Sequence, residues 1–243
     1  MTYTIDQLLT QVDYLLAAND NELATAARTA QIESAIERYS RDVPEEITAD
    51  VVGDAGKYYP VAANLTSWSE GFSRILTIEY PAQAVSSDET PQYITGWNDN
   101  YRDGSNVRYL FLPGHAPAAT DTMRITYTAP YVASGGAYDI PPIDFNAVCQ
   151  LAAGYCCLAI ANKYARTSDA TITADSVDHA GRSERFRAQA REWFKLYEEH
   201  IGLIKSSLSD SGGGDESVRD APATEFVDFA GLVGLQRGRI FTR

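Results

Sequence analysis

Residues 145–162 read FNAVCQLAAGYCCLAIAN, and apolar side chains recur there every three or four residues. These side chains occupy much of the circumference of the predicted helix. A helix that is apolar on most sides lies in the interior of a bundle rather than on its surface. The stretch therefore predicts the central helix of a bundle, and it begins after a linker that contains Ser134-Gly135-Gly136 and Pro141-Pro142.

A second amphipathic helix follows a predicted loop over 167–178, with apolar residues at helical spacing from Phe186 to Leu208. Basic residues are interleaved with glutamates along this helix. The basic set is Arg182, Arg185, Arg187, Arg191 and Lys195. Two interpretations stay open: a solvated face with ion pairs one turn apart, or an inter-subunit face that meets the acidic N-terminal half of a neighbouring copy.

Two further helices are predicted at the N-terminus, packed as a hairpin. Thr4 and Gln7 form a capping box, and the first helix runs to about Ala18. Asn19-Asp20-Asn21 supplies a turn and the cap of the second helix. The second helix ends near Ser40-Arg41, because the residues before Pro44 are forced to be extended.

Between the two pairs of helices the apolar period changes to two, which predicts β-strands. Turn chemistry separates them, for example at Asn98-Asp99-Asn100 and Pro113-Gly114. Short strands at near-regular spacing predict a small antiparallel sandwich or barrel. The predicted strands cover 47–52, 58–61, 74–80, 92–97, 107–112 and 123–127.

The C-terminal residues are predicted to be a hinge, around Gly212 to Gly214, followed by an arm. The arm lacks sustained periodicity but is too apolar for a solubilising tail, and it ends in arginines. Such a segment is typical of chains that become ordered on binding a partner. The predicted partner-binding residues are Phe226, Phe229, Leu232, Leu235, Arg237, Arg239, Ile240, Phe241 and Arg243.

The sequence therefore predicts an α+β fold with an inserted module. Residues 1–44 and 134–208 form a bundle of about four helices. Residues 45–133 form the antiparallel β sandwich or barrel, and 209–243 form the hinge and the extended arm.

The net charge of the chain limits the classes of function that it can have. The 243 residues carry a net charge of −13, which repels phosphate backbones and excludes a protein that grips nucleic acid through a basic surface. Residues 1–162 hold eight Lys or Arg and 20 Asp or Glu, a balance of −12, whereas 163–243 hold 12 and 13, a balance of −1. The two parts of the chain are therefore expected to face different partners.

The three cysteines, Cys149, Cys156 and Cys157, all lie in the central apolar segment. That placement is neither a disulfide framework nor a zinc pattern, so they are interpreted as small buried residues in a reduced compartment. The N-terminus lacks the basic and apolar regions of a signal peptide. No uninterrupted apolar run reaches about 18 residues, so we expect no membrane span.

No catalytic or cofactor motif is recognisable, neither a nucleophile elbow, a P-loop, a dinucleotide fingerprint nor a helical zinc motif. His115, His179 and His200 are expected in surface or capping roles. Acidic pairs such as Asp99 with Asp103 are interpreted as solvated turns rather than the carboxylates of a glycosidase. We therefore expect no enzymatic activity, no cofactor and no metal.

Aromatic residues crowd the predicted β module. We interpret them as cross-strand core and protein interface, although a platform on which sugars stack is the alternative. The set is Tyr58, Tyr59, Trp68, Tyr80, Tyr93, Trp97, Tyr101 and Tyr109.

A resemblance adds to these observations. Residues 174–197, ADSVDHAGRSERFRAQAREWFKLY, coming after the apolar helix, resemble the last two helices of head-to-tail adaptor (head completion, or connector) proteins of tailed bacteriophages. The helix end at 36–41, IERYSR, followed by the break at Pro44, is similar too. The large β insertion and the long arm depart from the smallest members of that family.

The resemblance implies a homo-oligomeric ring of about twelve copies in the neck of a virion, made in the host cytoplasm. Such a ring docks on the portal protein, contacts tail or neck proteins, and extends the channel through which DNA passes without sequence-specific binding. The arm would reach the portal, with its arginines on an acidic portal surface. The acidic residues of the chain would line the channel and keep the genome from sticking. A tail-terminator or collar protein, or a carbohydrate-binding β module on a virion, are the alternatives.

Overall fold

The structure is a computed structural model that describes residues 2–84, 90–166 and 179–210, without the side chains of 18–20, 179–180 and 203–210. The chain divides into two compact units, Met1–His200 and Ile201–Arg243. Of the second unit only the end of a helix is described. The predicted loop over 167–178 and the predicted arm from 211 onward lie outside the described residues.

The α+β class is confirmed by the elements present. Apart from a two-residue strand at the N-terminus, two helices precede the β strands and two long helices follow them. The helices are α1 (Ile5–Leu16), α2 (Thr25–Asp42), the short α3 (Val61–Asn64), α4 (Phe145–Ala165) and α5 (His179–Asp210), and a 3-10 helix covers Ala17–Glu22. The strands are β1 (Tyr3–Thr4), β2 (Glu45–Val52), β3 (Tyr58–Pro60), β4 (Ile75–Glu79), β5 (Asn98–Arg102), β6 (Arg108–Phe111), β7 (Thr122–Ala129) and β8 (Ala137–Tyr138).

The start of α1 is confirmed, and the start of α2 corrects the prediction. The Gln7 amide donates to Thr4 Oγ1 at 3.3 Å, and the Thr4 amide donates to Gln7 Oε1 at 2.9 Å. The segment Asn19-Asp20-Asn21 does not cap α2, because the chain continues from α1 as a 3-10 helix instead of turning. The N-cap is Ala24, whose carbonyl accepts the first amide bonds of α2.

Helix α4 is the central helix that its sequence predicts. More than half of its 21 residues are buried, and both α1 and α2 pack against it. Its length and composition would suffice to cross a membrane, but most of it is buried inside the protein. Cys149, Cys156 and Cys157 are fully buried free thiols, and burial raises their pKa to about 12, 12 and 11, respectively, so their prediction as buried residues is confirmed.

Helix α5 lies on α4 in close contact. Gly154 leaves room for the ring of Phe194, which also packs on Tyr155 with 5.4 Å between ring centroids. One turn before the end of α4, the Ser183 hydroxyl donates to the Ala161 carbonyl at 3.0 Å. The two helices approach closely because a glycine and small side chains occupy the shared face.

The β module contains two three-stranded antiparallel sheets, in the orders β2-β7-β4 and β3-β6-β5. A two-stranded ribbon pairs β1 with β8 and so joins the chain before α1 to the segment before α4. The residues of the module's core alternate along the strands, as expected for sheets with one buried face. The core comprises Val51, Tyr59, Val61, Leu65, Ile75, Ile78, Ile94, Leu110, Leu112, Met123, Ile125, Tyr127 and Ala129.

Two local predictions in the β module are wrong. The predicted turn Asn98-Asp99-Asn100 is part of strand β5, where the Asn98 side chain accepts the Asn100 amide at 2.8 Å. This local hydrogen bond coincides with a register shift between Asn98 and Tyr101, so the polar residues form a bulge rather than a turn. The predicted strand over 92–97 is a single bridge, between Tyr93 and Glu79.

The contact at Gly154 gives a prediction about stability. A Cβ at this position would lie 2.5 Å from Cε1 of Phe194, so Gly154→Ala should lower the free energy of unfolding by about 1–3 kcal/mol despite the better helix propensity of alanine. The matched control is Gly202→Ala, where a Cβ would meet nothing within 4 Å. That change should raise the free energy of unfolding by up to about 1 kcal/mol. Urea denaturation measures both, and equal effects would refute the close contact.

Candidate interaction surfaces

One of the five basic residues predicted on α5, Arg182, contacts another helix of the bundle. Arg182 donates to the Tyr164 hydroxyl at 3.0 Å, and its guanidinium lies over the Tyr164 ring at 5.2 Å from the centroid. The Tyr164 hydroxyl in turn donates to Glu22 at 2.6 Å, and this bond is the main cause of the lowered pKa of Glu22. Arg182 therefore belongs to a network that joins α5, α4 and the 3-10 helix.

The remaining four residues divide into two kinds. Arg187 pairs with Glu184 at 3.1 Å, and Lys195 pairs with Glu199 at 3.8 Å, both one turn apart. Such exposed pairs contribute only a few tenths of a kcal/mol. The other two are Arg185 and Arg191, which are exposed and form no ion pair with any described residue. The solvated-face interpretation fits the paired residues, and Arg185 and Arg191 are left available to another chain.

A buried carboxylate links three elements of the bundle. Asp144, directly before α4, is 3% exposed. The Tyr39 hydroxyl, from α2, donates to its Oδ2 at 2.6 Å, and His200 Nε2, from α5, lies 2.7 Å from its Oδ1. Burial and the bond to Asp144 raise the pKa of Tyr39 well above its ordinary value, so the phenol remains a donor. Both carboxylate oxygens are therefore satisfied.

A second carboxylate nearby strengthens the same junction. The Tyr197 hydroxyl, from α5, donates to Asp42 Oδ2 at 2.7 Å, at the end of α2. Arg38 Nε lies 3.3 Å from the same oxygen. Burial, together with the bond to Asp42, raises the pKa of Tyr197. Helix α5 is thus hydrogen-bonded both to the end of α2 and to the start of α4.

The sequence predicts a surface or capping role for His200 and carries no signal for its contact with Asp144, which lies 56 residues away. The available signal was an aspartate directly before a strongly apolar helix. The other histidines have smaller roles. His115 has its ring 6.4 Å from that of Tyr80, and the side chain of His179 is outside the described set.

The aromatic residues divide between the inside and the outside of the β module. Tyr59 and Tyr127 are buried in the core, and Trp68, Tyr80 and Trp97 pack against it. Four others lie on the outward face of the sheet β3-β6-β5 and are called here the outer aromatic face. They are Tyr58, Tyr101, Tyr109 and Phe111.

Three rings of the outer aromatic face, those of Tyr58, Tyr101 and Phe111, contact one another. Tyr58 and Phe111, opposite in register, have centroids 4.8 Å apart and planes 23° apart, and Tyr101 lies 4.9 Å from Tyr58. Tyr58 and Phe111 lie on neighbouring strands and stack, so each ring covers one face of the other. Tyr101 lies on β5, beyond β6, and its ring is tilted against that of Tyr58. Sugar rings stack on exposed aromatic faces, so this arrangement suits a protein contact better than a sugar platform.

The predicted acidic pair Asp99 and Asp103 is used locally. Asp103 Oδ1 accepts the amides of Ser105 and Val107, both at 2.9 Å, which closes a turn. Asp99 pairs with Arg108 at 3.4 Å. The described residues contain no group of three or more potential metal ligands. The arm residues predicted to bind a partner, from Phe226 to Arg243, lie outside the described residues, so their role stays a prediction.

No protein-family model matches the chain, and no curated protein matches it significantly. Among solved structures, a chain from the neck of an empty gene transfer agent (GTA) particle computed with C6 symmetry aligns with 18% identity over 74% of this chain and 88% of that one, with a TM-score of 0.26. A chain from the neck of the native GTA particle computed with C12 symmetry aligns with 17% identity over 77% and 94%, with a TM-score of 0.25. A chain from the virion of the native GTA particle aligns with 16% identity over 75% of this chain and 88% of that one, with a TM-score of 0.24. TM-scores this low do not establish a common fold.

The buried carboxylate gives a second prediction. His200→Ala leaves one oxygen of Asp144 without its partner, so the free energy of unfolding should fall by about 1–3 kcal/mol. His115→Ala, at a turn, is the matched control and should change it by less than about 0.5 kcal/mol. Urea denaturation at neutral pH measures both. An unchanged stability of His200→Ala would show that the interaction with Asp144 contributes nothing.

Proposed function

We propose that this chain is a structural head-to-tail adaptor of a tailed bacteriophage. In this proposal copies of the chain form a ring in the neck, the C-terminal arm docks the ring on the portal, and the ring extends the DNA channel toward the tail. The observation that carries the proposal is the α4–α5 pair, the part of the sequence that resembles adaptor proteins, with Arg185 and Arg191 left unpaired on its outward side.

Ring assembly needs two different faces on each subunit, because a closed ring is built from heterologous contacts. The basic positions are provided by Arg185 and Arg191, which lie about 120° apart around α5 on the two flanks of its exposed side. Acidic residues are present on α2, where Glu33 and Glu37 are both exposed, although Glu37 pairs with Arg41 one turn away. Opposite charges on the two faces would orient the subunits and disfavour contacts between like faces.

A catalytic role for the buried carboxylate is not favoured. Asp144 and His200 form a pair, but within the described residues no hydroxyl or thiol is hydrogen-bonded to His200. Tyr39, the other partner, bonds the carboxylate and not the imidazole. A nucleophile activated by a base needs that contact. The network instead ties together helices that an assembly protein must keep in fixed register.

The nearest alternative is a tail-terminator or collar protein, which shares the ring but not the two C-terminal helices. The stacked rings of the outer aromatic face support the protein-binding interpretation over the carbohydrate-binding one. The acidic balance of residues 1–162 supports a channel wall that repels DNA, so a ring with a basic lumen would contradict that part of the proposal.

The double change Arg185→Ala with Arg191→Ala should prevent ring formation. The purified wild-type chain is expected to form closed rings of about twelve copies, and the variant to remain as smaller species, because the basic partner of the acidic face is gone. Negative-stain micrographs and native mass spectrometry read this out. The control is Arg102→Ala, an exposed arginine of the β module. Ring formation by the double variant would show that these arginines of α5 are not needed at the interface.

Deletion of residues 211–243 should leave the bundle folded but abolish attachment to portal-bearing heads, because the proposed portal-binding residues are lost. Co-sedimentation with heads that lack this chain measures attachment. Replacing Arg237, Arg239 and Arg243 by alanine should weaken attachment and make it less salt-dependent. Attachment of the deleted chain at the wild-type level would rule out docking through the arm, without affecting the ring.

A further inference from the structure

Strand β2 is an open edge of the β module. It is eight residues long, it is outermost in the sheet β2-β7-β4, and its pairing with β7 runs without a register shift from Glu45 to Val52. No described residue pairs with its other side. A long regular edge of this kind is a template for another strand.

The pairing identifies the backbone groups at the open edge. In an antiparallel sheet the amide and carbonyl of one residue point to the same side, and successive residues alternate. The Thr128 amide donates to the Arg74 carbonyl, on the β4 side, so the groups of Glu46, its partner in register, point away from β7. By the same alternation four residues of β2 present both backbone groups outward. They are Glu46, Thr48, Asp50 and Val52, and all four side chains are exposed.

The other three edges of the two three-stranded sheets are protected. The edge of β4 is covered by residues 92–94, where the Ile94 amide donates to the Ile78 carbonyl at 2.8 Å. Strand β5 has a register shift, and β3 is three residues long and ends in Pro60. Short strands, bulges, proline and covering segments are the usual protections of an edge. Strand β2 has none of these within the described residues.

The charges along β2 specify what can bind there. Glu46 is exposed and forms no ion pair with a described residue, and Asp50 is held by Arg124 at 2.9 and 3.2 Å. At the start of the strand a cleft of about 320 Å³ is lined by Glu45 and Asp139 as well as by Ile47 and Val132. Burial and the nearby charge of Asp139 raise the pKa of Glu45. Glu46 lies on the exposed face of the strand, and the cleft with Glu45 and Asp139 lies on the other face, so carboxylates are present on both sides of the start of β2.

A second copy of β2 is a poor occupant in the register centred on Thr48. Antiparallel pairing of two copies about Thr48 would place Glu46 of each copy opposite Asp50 of the other. Like charges directly opposite on neighbouring strands are destabilising. A strand with basic side chains at alternating positions would instead place them opposite these carboxylates, and its intervening apolar side chains would lie beside Ile47 and Ala49.

We propose that the β2 edge is a binding site for an extended, basic segment of a partner protein, which adds to the sheet as a fourth strand. The backbone groups of Glu46, Thr48, Asp50 and Val52 bind the segment, and the carboxylates select its charge. This site goes beyond the proposed function, since it involves neither the α5 face nor the arm.

The test uses the full-length chain and an end-blocked octapeptide of alternating arginine and valine. Binding is measured by fluorescence anisotropy, and amide exchange is followed by NMR. The amides of Glu46, Thr48, Asp50 and Val52 should exchange readily in the free chain and slow by about tenfold or more with saturating peptide. Glu46→Lys should weaken binding about fivefold, since it reverses an exposed charge on the edge. Glu192→Lys, the same change on the exposed side of α5, should leave binding unaltered.

Two further peptides separate strand addition from simple charge attraction. A peptide N-methylated at every residue keeps its charges but loses all its backbone donors, on both edges, and it should not bind. An alternating glutamate and valine peptide should not bind either. The proposal is overturned if the arginine peptide does not bind, if the methylated or acidic peptide binds as well as it does, or if the four amides are already protected in the free chain.

Discussion

The buried carboxylate of Asp144 lies where the chain re-enters the bundle after the β module, and the arrangement of the helices depends on its partners. An unpaired carboxylate in this position would be costly, because the surrounding protein cannot solvate it as water does. Tyr39 from α2 and His200 from α5 each contact one oxygen of Asp144. Tyr197, one turn before His200 on α5, donates a hydrogen bond to Asp42 at the end of α2. The end of α2, the start of α4 and the middle of α5 are thereby fixed to one another. Both ends of the β insertion, which leaves α2 and returns before α4, are anchored at this junction.

The elements with strong periodicity could be predicted from the sequence, because each signal is contained in one segment. The apolar circumference of α4, the repeat beginning at Phe186 and the capping box at Thr4 all belong to this kind. The Asp144–His200 contact could not be predicted, because it joins residues far apart that carry no spacing signal. The prediction of a turn at 98–100 is wrong for a related reason. Asn98 accepts the local hydrogen bond expected of a turn, but the segment pairs with β6 and is therefore a strand. The sequence also could not separate inner from outer aromatics, since Tyr58 and Tyr59 are neighbours and face opposite sides.

The candidate surface on α5 shows how structure sharpens a pattern of charges. Five basic residues interleaved with glutamates support two interpretations equally well as a sequence. The structure shows which partner each residue has. Arg182 donates to Tyr164 of α4, and Arg187 and Lys195 form ion pairs with glutamates of α5 itself. Of these five, Arg185 and Arg191 are the two that form no ion pair and no side-chain hydrogen bond with a described residue. A ring contact needs few such residues, because electrostatic complementarity contributes to orientation and specificity more than to affinity.

The negative charges of the chain are divided between buried or bonded positions and exposed ones. A net charge of −13 could be spread evenly as a solubilising surface, but several carboxylates occupy defined positions: Asp144 and Asp42 at the helix junction, Glu22 beside Tyr164, and Asp103 in a turn. Those that remain exposed include Glu33 and Glu37 on α2 and Glu46 on the open β edge. On α2, Glu37 pairs with Arg41, and Glu33 forms no ion pair with a described residue. On β2 the exposed carboxylate of Glu46 lies beside the open backbone groups of the edge. An acidic side chain on such an edge favours a strand of opposite charge over one of like charge.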